Sequence, residues 1–171
     1  MIKPRVEEAI NQQIQAEVYS SYLYMSMSAY ANGTGFAGAA QWLKVQAQEE
    51  LTHALRLYHF LQQRGGKVTL LAIDQPPSEF GTLSELFGKV LAHEEHVTSL
   101  INRLMDVALE ERDHAASQML QWFVNEQVEE EANVNDLVNR LKLVGNEGNA
   151  LFMLDKELAT RVFVPHADLV I

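Results

Sequence analysis

Residues 36–64 read FAGAAQWLKVQAQEELTHALRLYHFLQQR, a run without proline that stops at Gly65-Gly66. Leu43, Ala47, Ala54, Leu57 and Leu61 recur in it at three- and four-residue steps, the period of one helix face. Glu50 and His53 fall on that same face. Ionisable groups inside an apolar stripe are costly to bury without partners. The stretch therefore predicts both a long amphipathic helix and a chemical site on its buried side.

The same punctuation divides the rest of the chain. Pro4 stands where a first helical turn tolerates proline, and the run behind it reaches Asn32-Gly33-Thr34-Gly35, a helix stop. Lys67 to Gly81 contains Val68-Thr69-Leu70-Leu71 and Pro76-Pro77, so it is no helix interior. Thr82-Leu83-Ser84-Glu85 is a capping-box pattern that opens a third run, ending near Arg112. Asp113 caps a fourth that reaches Val144-Gly145, and a short fifth is expected over about 147–161, ahead of Pro165. Leu83, Phe87, Val90, Val97, Ile101, Leu104 and Ala108 make the third stripe. Ala116, Leu120, Phe123, Val134, Leu137 and Leu141 make the fourth.

A helix of about 28 residues is a rod of about 42 Å, and four such rods pack side by side. Short turns make helices one and two antiparallel, and likewise three and four. The longer link between two and three can travel the length of the bundle. The expectation is an all-α single domain over residues 1–171: a four-helix bundle over about 4–145 with one long crossover, plus the short fifth helix.

Composition narrows the function. The chain has 171 residues, 47% hydrophobic and 21% charged, ordinary for a soluble globular protein. No apolar run approaches the roughly 18 residues of a membrane span. Met1-Ile2-Lys3-Pro4-Arg5 leads into a polar amphipathic stretch rather than a signal-peptide core. With no cysteine, disulfide scaffolds, thiolate zinc sites and cysteine nucleophiles are excluded, in keeping with a reducing cytoplasm. A net charge of −10 argues against a nucleic-acid partner. The expected location is the cytoplasm, with neither membrane nor nucleic acid as partner.

The informative residues interrupt the stripes. Glu17 lies among Ile10, Ile14 and Tyr24 on helix one, and Glu94 between Val90 and Val97 on helix three. Gln127 and Glu130 lie between Phe123 and Val134 on helix four. With Glu50 and His53, every bundle helix aims a metal-capable side chain at the core. Clustered buried carboxylates survive by protonation, by pairing with Lys or Arg, or by binding cations. The inward stripes carry no Lys or Arg near these levels. Carboxylates with one imidazole suit iron, and Glu50-x-x-His53 places two donors on one helix face. His59, His93, His96, His114 and His166 share no spacing with this set; His93 and His96 as a surface metal pair is the weaker reading.

Several stretches together resemble the prokaryotic non-haem ferritins over essentially the whole chain. They are Gln13-Ile14-Gln15-Ala16-Glu17 with Tyr19 and Tyr24, Gln48-Glu49-Glu50-Leu51-Thr52-His53-Ala54, and Arg64-Gly65-Gly66 with Pro76-Pro77. His93-Glu94, Gln121-Trp122-Phe123-Val124 and Glu126-Gln127-Val128-Glu129-Glu130-Glu131 complete them. The resemblance implies a di-iron ferroxidase centre, with one iron on Glu17, Glu50 and His53. The second would share Glu50 and take Glu94 and Glu130, with Gln127 close by. It also implies a third, outer iron at Glu49, Glu126, Glu129 and Glu130. Tyr24 is similar to a tyrosine beside such centres, either an electron donor to reacting oxygen or a hydrogen-bonded core residue.

Two departures matter. Glu-x-x-His occurs on helix two only; helix four has Gln127-x-x-Glu130, unlike the histidine-symmetric site of bacterioferritins. Their haem-binding methionine is matched here by Leu51, so no haem is expected. The implied activity is oxidation of Fe²⁺ by oxygen or hydrogen peroxide, with Fe³⁺ stored as a hydrated oxide mineral. The implied assembly is a 24-subunit shell, in which Leu151, Leu154 and Leu158 of the fifth helix pack around four-fold axes. The rival readings are a rubrerythrin-like di-iron peroxidase, which usually carries a cysteine-ligated iron domain, and a metal-free structural bundle.

Overall fold

The computed structural model describes residues 1–145 and 147–165. Five helices follow in order: α1 (Pro4–Gly33), α2 (Ala37–Gln63), α3 (Leu83–Glu110), α4 (His114–Val144) and α5 (Gly148–Leu158). The chain is all-α, a four-helix bundle with a short fifth helix. The expected punctuation is where the helices begin. Pro4 opens α1. Thr82 accepts from Glu85 N while the Glu85 side chain caps the Thr82 amide, a complete capping box. Asp113 accepts from Ala116 N at 3.1 Å and caps α4. Asp113 also takes a two-pronged hydrogen bond from Arg64, at 2.9 and 3.0 Å, which ties the end of α2 to the start of α4.

Small residues let α1 and α2 approach closely. Ser21 Oγ donates to the Ala47 carbonyl and Ser28 Oγ to the Ala40 carbonyl, each at 2.7 Å. As one index rises the other falls, so the pair is antiparallel. α3 and α4 form the second close pair, and α1 packs on α3.

The 67–81 segment holds no helix and runs up the side of α1. Asn11 bonds the Lys67 carbonyl and the Thr69 amide at 3.0 and 2.8 Å; Gln15 donates to Ala72 O at 2.7 Å. Further along, Ser26 donates to Pro77 O and Tyr30 to Gly81 O, at 2.6 and 2.9 Å. From Asn11 to Tyr30 is about 28 Å of helix at 1.5 Å per residue. The crossover thus returns the chain to the end of the bundle where α2 began.

The core is divided. One apolar cluster gathers Tyr24, Met27, Leu43, Phe80, Phe87, Val134 and Leu141 with neighbours from α5. A second gathers Ile10, Ile14, Leu57, Leu61, Ile101, Leu120 and Phe123. Between them lies a layer of buried polar groups: Glu17, Glu50, His53, Glu94, Gln127 and Glu130.

The α5 leucines do not meet the expectation that they face outward to a symmetry axis. Leu154 and Leu158 are buried in their own subunit's core, with Leu151 packed against it. Phe152 and Met153 are the exposed apolar residues of α5. The cause lies at the start of α2. Asp155 accepts from the amides of Gly38 and Ala39 at 3.0 and 2.8 Å, so its carboxylate caps α2 and draws α5 inward. A Cβ on Gly38 would lie 1.6 Å from the Asp155 carbonyl oxygen, so only glycine allows this approach.

Candidate metal centre

The polar layer draws one or two side chains from each bundle helix. Glu17, Glu50, His53 and Glu94 are each 1% exposed, Gln127 4% and Glu130 5%. Donor atoms of Glu17, Glu50 and His53 lie within 4.8 Å of one another, close enough to share one ion. Glu50 Oε2 is 3.4 Å from His53 Nδ1. The His53 ring is walled by Trp122 and Phe123, with centroids at 5.4 and 6.0 Å. Arg56 stacks on the Trp122 ring at 3.9 Å.

Glu94 is held by neighbours of its own. The Tyr24 hydroxyl donates to Glu94 Oε1, and Gln127 Nε2 reaches Glu94 Oε2 at 3.4 Å and its carbonyl at 3.3 Å. Gln127 also donates to Thr98, whose hydroxyl in turn donates to Glu131. Gln127 thus acts on the site through Glu94.

Electrostatics show what the layer lacks. Burial pushes Glu17 up to about 8, with the Glu50 charge adding to the effect. Burial likewise pushes Glu50 up to about 8, reinforced by Glu130. Glu94 is raised well above the usual carboxylate range by burial and then by Glu50 and Glu130. Burial, and then the nearby carboxylates, raise Tyr24 too. Glu17 Oε2, His53 Nε2 and Glu130 Oε2 are buried yet make no hydrogen bond among the described residues. Orphaned acceptors among mutually repelling carboxylates are what a cation would satisfy, so the residues present fit iron.

The outer residues divide. Glu126 Oε1 lies 4.0 Å from His53 Nε2. Glu49, half-buried, forms an ion pair with Arg161. Burial raises Glu49 to about 7, and Arg161 opposes that rise. Glu129 is exposed on α4 and joins no hydrogen bond or ion pair among the described residues. His93 is not a surface ligand: Nε2 is 2.8 Å from Ser20 Oγ, the ring packs edge-on to Tyr24, and burial lowers it to about 4. His166 lies outside the described residues.

Residues 7–144 match the family described as Ferritin-like domain. The chain belongs to the ferritins, among their non-haem members. It is 43% identical to the bacterial non-haem ferritin of Bacteroides fragilis, over 94% of this chain and all of that one. It is 39% identical to that of Escherichia coli O157:H7, over 94% and 97% of the two chains. Among solved structures, an engineered closed form of the Archaeoglobus fulgidus ferritin superposes with TM-score 0.95 at 46% identity, covering 96% of this chain and all of the other. The open-pore ferritin from the same archaeon superposes with TM-score 0.94 at 46% identity, over 95% of this chain and all of that one.

Three side chains around this ferritin's acids carried no role in the sequence reading. Gln13 Nε2 donates to Glu17 Oε1 at 2.8 Å, and Gln46 Nε2 to Glu50 Oε1 at 3.2 Å. Both glutamines precede their acid by four residues, and that repeated Gln-x-x-x-Glu spacing was the available signal. The third is Arg161, beyond α5, which no helical period connects to α2.

Proposed function

We propose that this ferritin oxidises Fe²⁺ at the four-helix centre and stores the Fe³⁺ as a hydrated oxide inside a shell of 24 copies in the cytoplasm. The observation that carries the reading is the buried carboxylate layer. Glu17 and Glu50, raised to about 8, together with the orphaned oxygens and imidazole nitrogen, need positive charge from outside the bundle stripes. Two ferrous ions supply it as substrate. Glu17, Glu50 and His53 would hold one; Glu50, Glu94 and Glu130 would hold the other.

In this reading Glu50 belongs to both ions and sets their separation. Gln13 and Gln46 orient Glu17 and Glu50, while Tyr24 and Gln127 orient Glu94. Binding displaces the protons that the raised carboxyls hold at neutral pH. Each Fe²⁺ gives up one electron, and oxygen or hydrogen peroxide accepts the pair. The full set of anionic carboxylates then favours the harder Fe³⁺. Glu49, Glu126 and Glu129 offer a third, outer position.

A shell suits the surface. Tyr22, Met25 and Leu51 on α1 and α2 are exposed, as are Leu70, Leu71 and Ile73 on the crossover and Phe152 and Met153 on α5. Exposed apolar side chains on these elements support contacts with further copies. No described helix is long and apolar enough to cross a membrane.

The test is ferrous oxidation followed by absorbance in the wild type, Glu50→Ala and His53→Ala, with particle mass measured alongside. Oxidation should slow in both variants while a large hollow particle persists. Unchanged rates in both would remove the ligand assignment. A wild-type particle near the 19.3 kDa chain mass that takes up no iron would remove the storage reading altogether.

A further inference from the structure

The segment after α5 places a cation against the metal layer. Arg161 follows Leu158 by a single turn, and its carbonyl accepts from Gln41 Nε2 at 3.2 Å. The guanidinium stacks on the Trp42 ring, 4.2 Å from its centroid. One nitrogen pairs with Glu49 and another donates to Gln46 Oε1 at 2.8 Å. Gln46 is fully buried, and its other end donates to Glu50 Oε1. With its carbonyl fixed on Arg161, the Gln46 amide nitrogen must point at Glu50. Arg161 therefore pairs directly with the outer acid Glu49 and orients Glu50, an acid of the layer, through the Gln46 amide.

We propose that Arg161 is a tethered counter-cation for the outer position, so that the docked tail and a divalent cation at Glu49 exclude one another. This rests on reading Glu49 as part of an outer cation position. A carboxylate paired with an arginine must release it before giving the same lone pairs to a metal. The fold leaves room for that release. A groove of about 270 Å³ beside Arg161 is lined by Asn133, Asp136, Arg140 and Glu157; Glu157 is already paired with Arg140, so Asp136 is the carboxylate the freed guanidinium would meet. Release also frees Gln46 to turn, which removes a hydrogen bond from Glu50. By reciprocity, whatever weakens tail docking tightens the outer cation, and the outer cation loosens the tail. Arg161 is in this sense a positioning residue that sets the affinity of the outer position against the inner pair.

The test is an anaerobic calorimetric titration of the assembled protein with Zn²⁺, a redox-silent substitute for Fe²⁺, in wild type, Arg161→Gln and Arg161→Lys. The third equivalent per subunit should bind about tenfold more tightly in Arg161→Gln, the equivalent of about 1.4 kcal/mol, with a smaller weakening of the first two, whose ligand Glu50 loses the fixed Gln46 amide. Arg161→Lys, keeping charge but losing the two-pronged grip, should fall between. Hydrogen exchange supplies a readout that needs no variant. In wild type the third equivalent, unlike the first two, should speed exchange of the amides over residues 158–163. Equal third-site affinity in wild type and Arg161→Gln, or a tail whose exchange ignores the third equivalent, overturns the role of Arg161. Two equivalents in every protein with never a third would remove the outer position itself, and this proposal with it. No Zn²⁺ bound at all would remove the metal centre.

Discussion

The Tyr24 hydroxyl donates to Glu94 across the α1–α3 contact, with both residues buried. The bond gives Tyr24 a positioning task whatever else it does. Tyr24→Phe leaves one Glu94 oxygen without its donor, a loss of roughly 1–3 kcal/mol for a buried acceptor. Ferrous oxidation should therefore slow by about tenfold, with the iron-to-oxygen ratio unchanged. A changed ratio at an unchanged rate would assign Tyr24 to electron donation instead.

The raised carboxyls give stability a sign against pH. Glu17 and Glu50 titrate near 8 in the fold and near the ordinary value of 4.5 when unfolded. An acid raised in the fold contributes stability that is complete below its unfolded value and is lost as pH rises through the folded one. The metal-free protein should thus lose thermal stability from about pH 5 to pH 9, and divalent cation should reverse the loss. Cation binding at pH 7 should release protons, and at pH 9 far fewer. Melting temperatures with and without Zn²⁺, and dye-detected proton release, check both. A metal-free melting temperature that climbs steadily over this range would contradict the buried-acid account.

The helices were legible because local chemistry sets their ends: Pro4, Thr82 with Glu85, and Asp113 act within a turn of themselves. The inward acids were legible because the helical period assigns a face, and Glu17, Glu50, Glu94 and Glu130 sit on apolar faces. What stayed hidden depends on contacts that no period encodes. Asp155 caps a helix that begins more than a hundred positions earlier, and this turned Leu154 and Leu158 into the subunit's own core rather than toward an axis. Arg161 reaches Glu49 over a similar separation. Gly38 lies inside a helical run, and the approach of the Asp155 backbone explains why glycine stands there.

That contact predicts how α5 comes loose. Asp155→Ala removes a helix cap and should cost about 1 kcal/mol. Gly38→Ala should cost more, because the clash is with backbone that has no rotamer to change. In both variants α5 should become sensitive to limited proteolysis while α1–α4 stay resistant. Cleavage inside the bundle at the same rate would mean that α5 is not a separable element.

Glu126 and Glu129 should respond unequally, because of the two only Glu126 approaches His53. Glu126 lies 4.0 Å from His53, whereas Glu129 is exposed and bonded to nothing described. Glu129→Ala should alter the iron-to-oxygen stoichiometry and leave the initial rate within about twofold, the small effect of an exposed charge. Glu126→Ala should alter the stoichiometry and also slow the first turnover several-fold, since His53 loses a neighbouring carboxylate. Initial rates from stopped-flow absorbance, paired with oxygen consumption, separate the two. A collapse of the initial rate in Glu129→Ala would place that residue in the inner centre and contradict its position on the exposed face of α4.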